Sequence, residues 1–142
     1  MTYRELKEKH QQEINAFPFM FAFNNKQFIE GMAKLGLEPS ETDKIYDIGG
    51  GGFVRKTDYK ALKDLIDRHQ REIKEAIAAD ETGDGFIYDM FYTELANHEY
   101  SYTGDPTEAL RACSIQPLQI EQDPRLNKGF CKAAKELEAE AE

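Results

Sequence analysis

The sequence predicts an α+β fold in which a small, mainly antiparallel sheet of about three strands packs against one long helix and several shorter helices. The first basis for this is residues 44–56 (KIYDIGGGGFVRK), where aromatic and β-branched residues flank four consecutive glycines. Such a pattern is typical of a β-hairpin, because glycine reaches the positive φ of tight turns without a steric penalty. The second basis is residues 58–79, which carry an apolar stripe at helical spacing and oppositely charged pairs four residues apart.

The part of the chain before the hairpin predicts a helix, a strand and a second helix. The first helix covers about residues 2–14, with Thr2 as its cap. Residues 17–23 (FPFMFAF) alternate phenylalanine with other residues, and this period of two predicts a strand whose aromatic face is buried. Asn24 or Asn25 then caps a helix that ends at Gly36. The predicted strands are therefore residues 17–23, 44–48 and 53–56.

Three more helices are predicted after the long one. The first covers about residues 88–97, beyond a break at 80–85, and residues 100–104 are expected to form a loop or short extended chain. The second begins at Asp105-Pro106-Thr107-Glu108, which combines a cap, a proline in the first turn and a following glutamate, and it ends near Cys113. Asp123-Pro124 repeats this signal for the last helix.

Residues 1–142 are interpreted as a single α+β domain. Its most loosely specified part is the helical segment from about residue 115. The acidic end, residues 136–142, contains four carboxylates and no basic residue. Negative charge opposes the dipole at the C-terminal end of a helix, so this end is expected to fray.

The composition excludes several classes of function. The net charge of −9 gives a surface that repels nucleic-acid phosphates and anionic membranes, so neither is expected as a partner. No apolar run approaches the roughly 20 residues that span a bilayer, and a polar helical pattern instead of a signal peptide follows Met1. Cys113 and Cys131 are not in a CxxC motif and are interpreted as reduced thiols. Together these features predict a cytoplasmic protein.

The loop at residues 80–89 (DETGDGFIYD) partly matches a calcium-binding hand. Asp80, Thr82 and Asp84 occupy the first, third and fifth ligand positions, and helices are predicted on both sides. The twelfth position, which needs a bidentate glutamate, is Phe91. The alternatives are a weak divalent-cation site and a purely structural loop that ends one helix and starts the next. No other cofactor is expected.

Glu94 and His98 are four residues apart and therefore share one face of the predicted helix. A carboxylate beside an imidazole can bind a metal or act as an acid–base pair, which leaves a small enzyme as one alternative. A surface hydrogen bond between the two side chains is the simpler interpretation. No sequence motif of nucleophilic catalysis is present, and no catalytic residue is assigned.

Tyrosines are concentrated after residue 87. Tyrosine is frequent at protein interfaces, because the ring is buried while the hydroxyl keeps a partner. An aromatic core with hydrated hydroxyls is the alternative. The candidate interaction residues are Tyr92, Glu94, His98, Tyr100 and Tyr102.

Three strings resemble an uncharacterised family associated with plasmids and phage-like elements of gut Firmicutes. They are residues 14–37 (INAFPFMFAFNNKQFIEGMAKLGL), 49–58 (GGGGFVRKTD) and 83–105 (GDGFIYDMFYTELANHEYSYTGD). The resemblance covers about residues 1–115 and implies an intracellular accessory protein. It implies no activity and assigns no site residues.

The sequence therefore predicts a non-enzymatic, cytosolic accessory or regulatory protein of a mobile genetic element that acts through protein–protein interaction. The protein partner and the oligomeric state stay open. A divalent-metal binder using the loop at residues 80–89 and an enzyme using Glu94 and His98 are the alternatives.

Overall fold

A computed structural model describes residues 1–141, which contain eight α-helices and one three-stranded antiparallel sheet. The helices are α1 (Tyr3–Ala16), α2 (Asn25–Lys34), α3 (Tyr59–Ala79), α4 (Phe86–Asn97), α5 (Tyr100–Thr103), α6 (Thr107–Cys113), α7 (Pro117–Gln122) and α8 (Pro124–Glu140). The strands are β1 (Met20–Phe21), β2 (Ile45–Gly49) and β3 (Gly52–Arg55). The predicted α+β class is confirmed.

The chain divides into two compact units. The sheet unit is residues 12–70, and the helical unit is residues 1–11 together with the chain from Arg71 onward. Each unit has its own cluster of buried apolar side chains. The interpretation of the whole chain as one domain stays a prediction.

The sheet unit is built on the predicted glycine hairpin. The strand order is β1-β3-β2, and all neighbours are antiparallel. Gly49, Gly50 and Gly51 have φ of 86°, 61° and 79°, a region that side chains with a Cβ rarely adopt. The Asp47 carboxylate also accepts a hydrogen bond from the backbone N–H of Gly49 at 2.8 Å. The glycines therefore form the turn between β2 and β3, as predicted.

The strand predicted at residues 17–23 is shorter than expected, and its predicted burial is wrong. Only Met20 and Phe21 pair with β3. Met20 is 3% exposed, whereas Phe21 and Phe23 are 59% and 76% exposed. The reason lies in α2: a Cβ built on Gly31 would lie 2.0 Å from Cγ of Met20, so this glycine leaves the space that the methionine fills. The side of this segment that carries Met20 is therefore buried, and the side that carries Phe21 and Phe23 is exposed.

The predicted signals of α2 are present in the structure. The side chain of Asn24 accepts a hydrogen bond from the N–H of Gln27 at 2.9 Å, as an N-cap residue does. At the other end Gly36 has φ of 76°, and the N–H of Leu37 donates to the carbonyl of Met32 at 2.9 Å. This arrangement is the glycine C-cap expected from the sequence.

In the helical unit α4 carries much of the core. Ile87, Met90, Phe91 and Leu95 are all fully buried, and α4 packs against α6 and α8. The helices α4 and α8 approach closely at Gly129, where an added Cβ would lie 2.7 Å from Cγ2 of Ile87. Packing of this apolar face, rather than helix propensity, stabilises the unit.

Three segments near the C-terminus differ from, or add to, the sequence interpretation. Residues 100–103 form the short helix α5 instead of a loop or extended chain, and α7 was not predicted. The last helix, α8, extends to Glu140. Glu142, at the tip of the acidic end that was expected to fray, lies outside the described residues. Within residues 1–141, we found no helix with the length and apolar character required to cross a membrane.

Candidate functional site

The loop that partly matches a calcium-binding hand is organised by the Asp80 carboxylate. One oxygen accepts hydrogen bonds from the backbone N–H groups of Thr82 and Gly83 at 3.2 and 2.9 Å. The other accepts from Gly85 and Ile87 at 3.1 and 3.0 Å. Burial acts to raise the pKa of Asp80, but these four amide bonds outweigh it and hold the pKa below its ordinary value. Because Ile87 lies in the first turn of α4, the carboxylate also meets the positive end of that helix.

The other two predicted metal ligands have partners of their own. The Thr82 hydroxyl accepts a hydrogen bond from the N–H of Asp84 at 3.1 Å. The Asp84 carboxylate forms an ion pair with Lys128 of α8 at 2.8 Å. Phe91, at the position where a calcium hand needs its glutamate, is fully buried in the core. The contacts give this loop a structural role, and cation binding by Asp80, Thr82 and Asp84 stays a prediction.

Glu94 lies in a buried polar cluster. Glu94 is 7% exposed. Its carboxylate accepts a hydrogen bond from the Tyr3 hydroxyl at 2.7 Å and lies 3.4 Å from Nε2 of His98. Burial, together with the Glu94 charge, raises the pKa of Tyr3, which keeps its hydroxyl protonated as a donor. Burial likewise raises the pKa of the Cys113 thiol to about 12, with the Glu94 charge as the second cause. A thiol with this pKa is a poor nucleophile, so the cluster holds a carboxylate in place and does not activate Cys113.

A second buried carboxylate on α4 fixes the start of α1. Asp89 is 8% exposed and accepts hydrogen bonds from the backbone N–H of Arg4 at 3.1 Å and from its guanidinium at 3.1 and 2.8 Å. Both guanidinium bonds end on Oδ1 and the backbone bond ends on Oδ2, so both carboxylate oxygens bind Arg4. Charge-assisted hydrogen bonds are among the stronger polar contacts in proteins. The sequence assigned no contact to Asp89, because its partner is 85 residues away and leaves no local signal.

Three tyrosines use their hydroxyls inside the helical unit. Each donates a hydrogen bond to a glutamate of α8, and the pairs are Tyr88 with Glu136, Tyr92 with Glu140 at 2.8 Å, and Tyr100 with Glu138 at 2.9 Å. The bond to Glu136 raises the pKa of Tyr88 to about 12. Of the tyrosines predicted to form an interface, only Tyr102 is largely exposed, at 87%. The structure therefore distributes the candidate interaction residues between a buried cluster, the contact with α8, and the surface.

A different aromatic surface lies on the sheet unit. We define the aromatic face as the side of the sheet that carries Phe17, Phe19, Phe21, Phe23, Tyr46, Ile48 and Tyr59. The strand register pairs Phe21 with Gly52 and Tyr46 with Val54, and directly opposed residues point to the same side of a sheet. Ring centroids lie 4.9 Å apart for Phe17 and Phe19, and 5.9 Å apart for Phe19 and Phe21. Tyr59, the first residue of α3, extends the face with a centroid 4.9 Å from that of Tyr46.

The aromatic face is partly exposed, although Val54 of the middle strand, which lies on the same side, is fully buried. Phe23 and Phe21 are 76% and 59% exposed, and Tyr46, Ile48 and Tyr59 are exposed by about two fifths (43%, 39% and 39%). Single exposed apolar side chains are common on protein surfaces, but a contiguous group of them usually marks an interaction site. The contiguity, rather than any one residue, is the functional signal.

The glycines give the exposed rings a flat support. A Cβ on Gly51 would lie 2.5 Å from Cε1 of Phe23, and a Cβ on Gly52 would lie 3.1 Å from both Phe21 and Ile48. The apolar side chains therefore rest against bare backbone. This positions them without covering them, because glycine has no side chain that could extend above a ring.

The sheet unit that carries the aromatic face is nearly neutral. Nζ of Lys56 lies 5.1 Å from the Tyr46 ring and Nζ of Lys63 lies 6.0 Å from the Tyr59 ring, which places ammonium groups on two aromatic rings. Residues 12–70 carry nine acidic and eight basic side chains, a net charge of −1. The remaining −8 of the chain belongs to the helical unit.

The sequence signal for this surface was present but was assigned to the core. The alternation of phenylalanines at residues 17–23 identifies one face, yet Met20 and Ala22 make the other face apolar as well. The glycine run at residues 49–52 is the signal that was missed. It supplies no side chains that could bury the neighbouring rings.

These features define a small acidic protein of the α+β class with an exposed aromatic sheet face. A family model described as Family of unknown function (DUF7659) matches residues 2–136, which is nearly the whole chain. The chain belongs to this family. Searches of curated proteins and of solved structures gave no match.

Proposed function

We propose that this protein is a non-enzymatic accessory or regulatory protein that acts by binding another protein chain, and that the aromatic face is its binding surface. The observation that carries the proposal is the exposure of Phe21 and Phe23, 59% and 76%, with both rings lying directly against glycines of the neighbouring hairpin. Burying one such side chain contributes about 2–3 kcal/mol to an association. Two rings at fixed positions form the kind of anchor that dominates protein interfaces.

Nucleic acid fits this surface less well than protein does. Rings displayed on a sheet can stack on bases, but proteins that bind single strands combine such rings with an excess of positive charge. The sheet unit has nine acidic side chains against eight basic ones. The helical unit adds a further −8, which repels phosphates.

The proposed setting is the cytoplasm of a cell that carries a mobile genetic element, with the protein as an accessory of that element. This part of the proposal depends on the resemblance of residues 14–37, 49–58 and 83–105 to a family associated with such elements. Cys113 and Cys131 are both free thiols, which supports a reducing compartment.

Affinity capture from a lysate of the source cells, with three forms of the tagged protein, tests the proposal. We expect the wild type to retain a specific protein chain that the double variant Phe21→Ser/Phe23→Ser loses at least tenfold. Tyr102→Ser serves as the matched control, because it also removes a largely exposed ring, but from the helical unit. Equal capture by all three forms, or no specific chain with any of them, would refute the proposal.

A further inference from the structure

We propose that the occupant of the aromatic face is a second copy of this chain, so that the protein forms a symmetric dimer in which the exposed side chains of two aromatic faces pack against each other. This inference rests on the proposed function and names the partner of that same surface. Val54 of the middle strand is already buried within the chain, so the contact would form through the exposed side chains around it, chiefly Phe21 and Phe23. A mostly apolar face is self-complementary without any matching of charges, as a two-fold interface requires.

The exposed area supports a dimer of limited stability. With about 200 Å² for a fully exposed aromatic side chain, the exposed fractions of Phe21, Phe23, Tyr46 and Tyr59 amount to about 430 Å². Ile48 and the half-buried Phe17 and Phe19 raise the apolar area to about 540–650 Å² per copy, hence about 1,100–1,300 Å² for two copies if all of it is covered. Specific interfaces begin at about this size. We therefore expect a dimer that dissociates on dilution, with a Kd on the order of 10–100 µM.

The distribution of charge favours this surface for self-association. Two sheet units with a net charge of −1 each repel each other weakly, whereas two helical units with −8 each would bring many like charges together. A partner chosen for opposite charge would be basic and would be attracted to the helical unit instead. The nearly neutral sheet unit thus fits a copy of itself better than a basic protein.

Sedimentation velocity of the purified full-length chain between about 2 and 200 µM provides the first test. We expect the mass to rise from 16.3 kDa toward twice that value as the concentration increases. Raising NaCl from 0.15 to 0.5 M should leave the dimer unchanged or strengthen it, because salt does not weaken an apolar contact. The variant Phe21→Ser/Phe23→Ser should weaken the dimer at least tenfold and keep its circular dichroism spectrum, and Tyr102→Ser should dimerise like the wild type.

Photo-crosslinking locates the contact. We expect p-benzoylphenylalanine at position 23 of the purified protein to give an adduct of twice the chain mass, and the same group at position 102 to give none. A wild type that stays monomeric at 200 µM, or a dimer that tolerates the double variant, would overturn the self-association proposal.

The two proposals can fail separately. If the purified chain is monomeric but position 23 crosslinks to a different protein in a lysate, self-association is wrong and the proposed function stands. A nuclease-sensitive adduct would identify nucleic acid as the occupant and would contradict both proposals. If position 23 crosslinks to no macromolecule in either setting, both proposals also fall.

Discussion

Replacing Asp80 with asparagine tests whether the loop at residues 80–89 has a structural role or binds calcium. The Asp80 carboxylate accepts hydrogen bonds from four backbone N–H groups, those of Thr82, Gly83, Gly85 and Ile87. The asparagine side chain would keep one carbonyl oxygen as an acceptor, but its amide group would present N–H donors to two of those backbone donors. The variant Asp80→Asn has nearly the same shape, so its effect isolates the charge and the accepting oxygen.

The expected loss follows from these contacts. Hydrogen bonds to a charged group contribute about 1.5–3 kcal/mol each, and a buried donor left without a partner costs about 1–3 kcal/mol. The N–H of Gly85 can bond to water, because Gly85 is exposed, whereas that of the buried Ile87 loses its partner. We therefore expect Asp80→Asn to lower the free energy of unfolding by about 2–4 kcal/mol. In a chain of this size that corresponds to a fall in Tm of about 4–16 °C.

Urea unfolding followed by far-ultraviolet circular dichroism measures this difference, and Asp84→Asn is the matched control. The Asp84 side chain forms an exposed ion pair with Lys128, and replacing such a pair should change stability by less than about 1 kcal/mol. The pKa of Asp80 is lowered in the folded state from 3.8, so its stabilisation is complete above that value and is lost as the pH falls below it. The difference between wild type and Asp80→Asn should therefore be constant from about pH 5 to 8 and shrink below about pH 4.

One result would refute this reasoning. If Asp80→Asn unfolds like the wild type but abolishes a calorimetric signal for Ca²⁺ that the wild type shows, the carboxylate serves a cation and not the backbone. Loss of stability with no Ca²⁺ signal in either form supports the structural role.

Two further predictions concern a glycine and the thiols. Gly83→Ala should lower the free energy of unfolding by about 3 kcal/mol or more, because the residue has φ of 91° and its Cβ would lie 2.2 Å from the Arg125 carbonyl oxygen. Gly36→Ala, with positive φ but open space, should lose only about 1–2 kcal/mol in the same urea titration, and equal losses would contradict the steric argument. Of the two thiols, only the exposed Cys131 should react quickly with a disulfide reagent at about pH 8, since Cys113 is buried with its pKa raised to about 12. Two fast thiols in the native protein would show that Cys113 is accessible.

Local signals in the sequence predicted most of the elements. The start at Asp105-Pro106-Thr107-Glu108 placed a helix that ends at Cys113, and the structure has α6 at Thr107–Cys113. The apolar stripe of residues 58–79 predicted the long helix α3 nearly to the residue. Caps and periodicity are decided by neighbours within a few positions, so one chain is enough to predict them.

Burial of β1 depended on a distant residue and was predicted wrongly. Both faces of residues 17–23 are apolar, and the choice between them is made by Gly31 of α2, which leaves room for Met20 and none for a larger side chain. The hydrogen bonds from tyrosines to α8 are equally invisible locally, because Tyr88 and Glu136 are 48 residues apart. Composition indicated that tyrosines mattered, but it could not separate rings that hold α8 from rings that face water.

The bare backbone under Phe23 makes the contour of the aromatic face adjustable by a single methyl group. With alanine at position 51, the new Cβ would lie 2.5 Å from Cε1 of Phe23. The Phe23 ring would therefore have to move away by about 1 Å to restore an ordinary contact distance. The chemistry of the surface would stay the same while its contour changed. On the proposed function, a substitution at this one position would therefore change the strength of binding without changing any side chain of the binding surface.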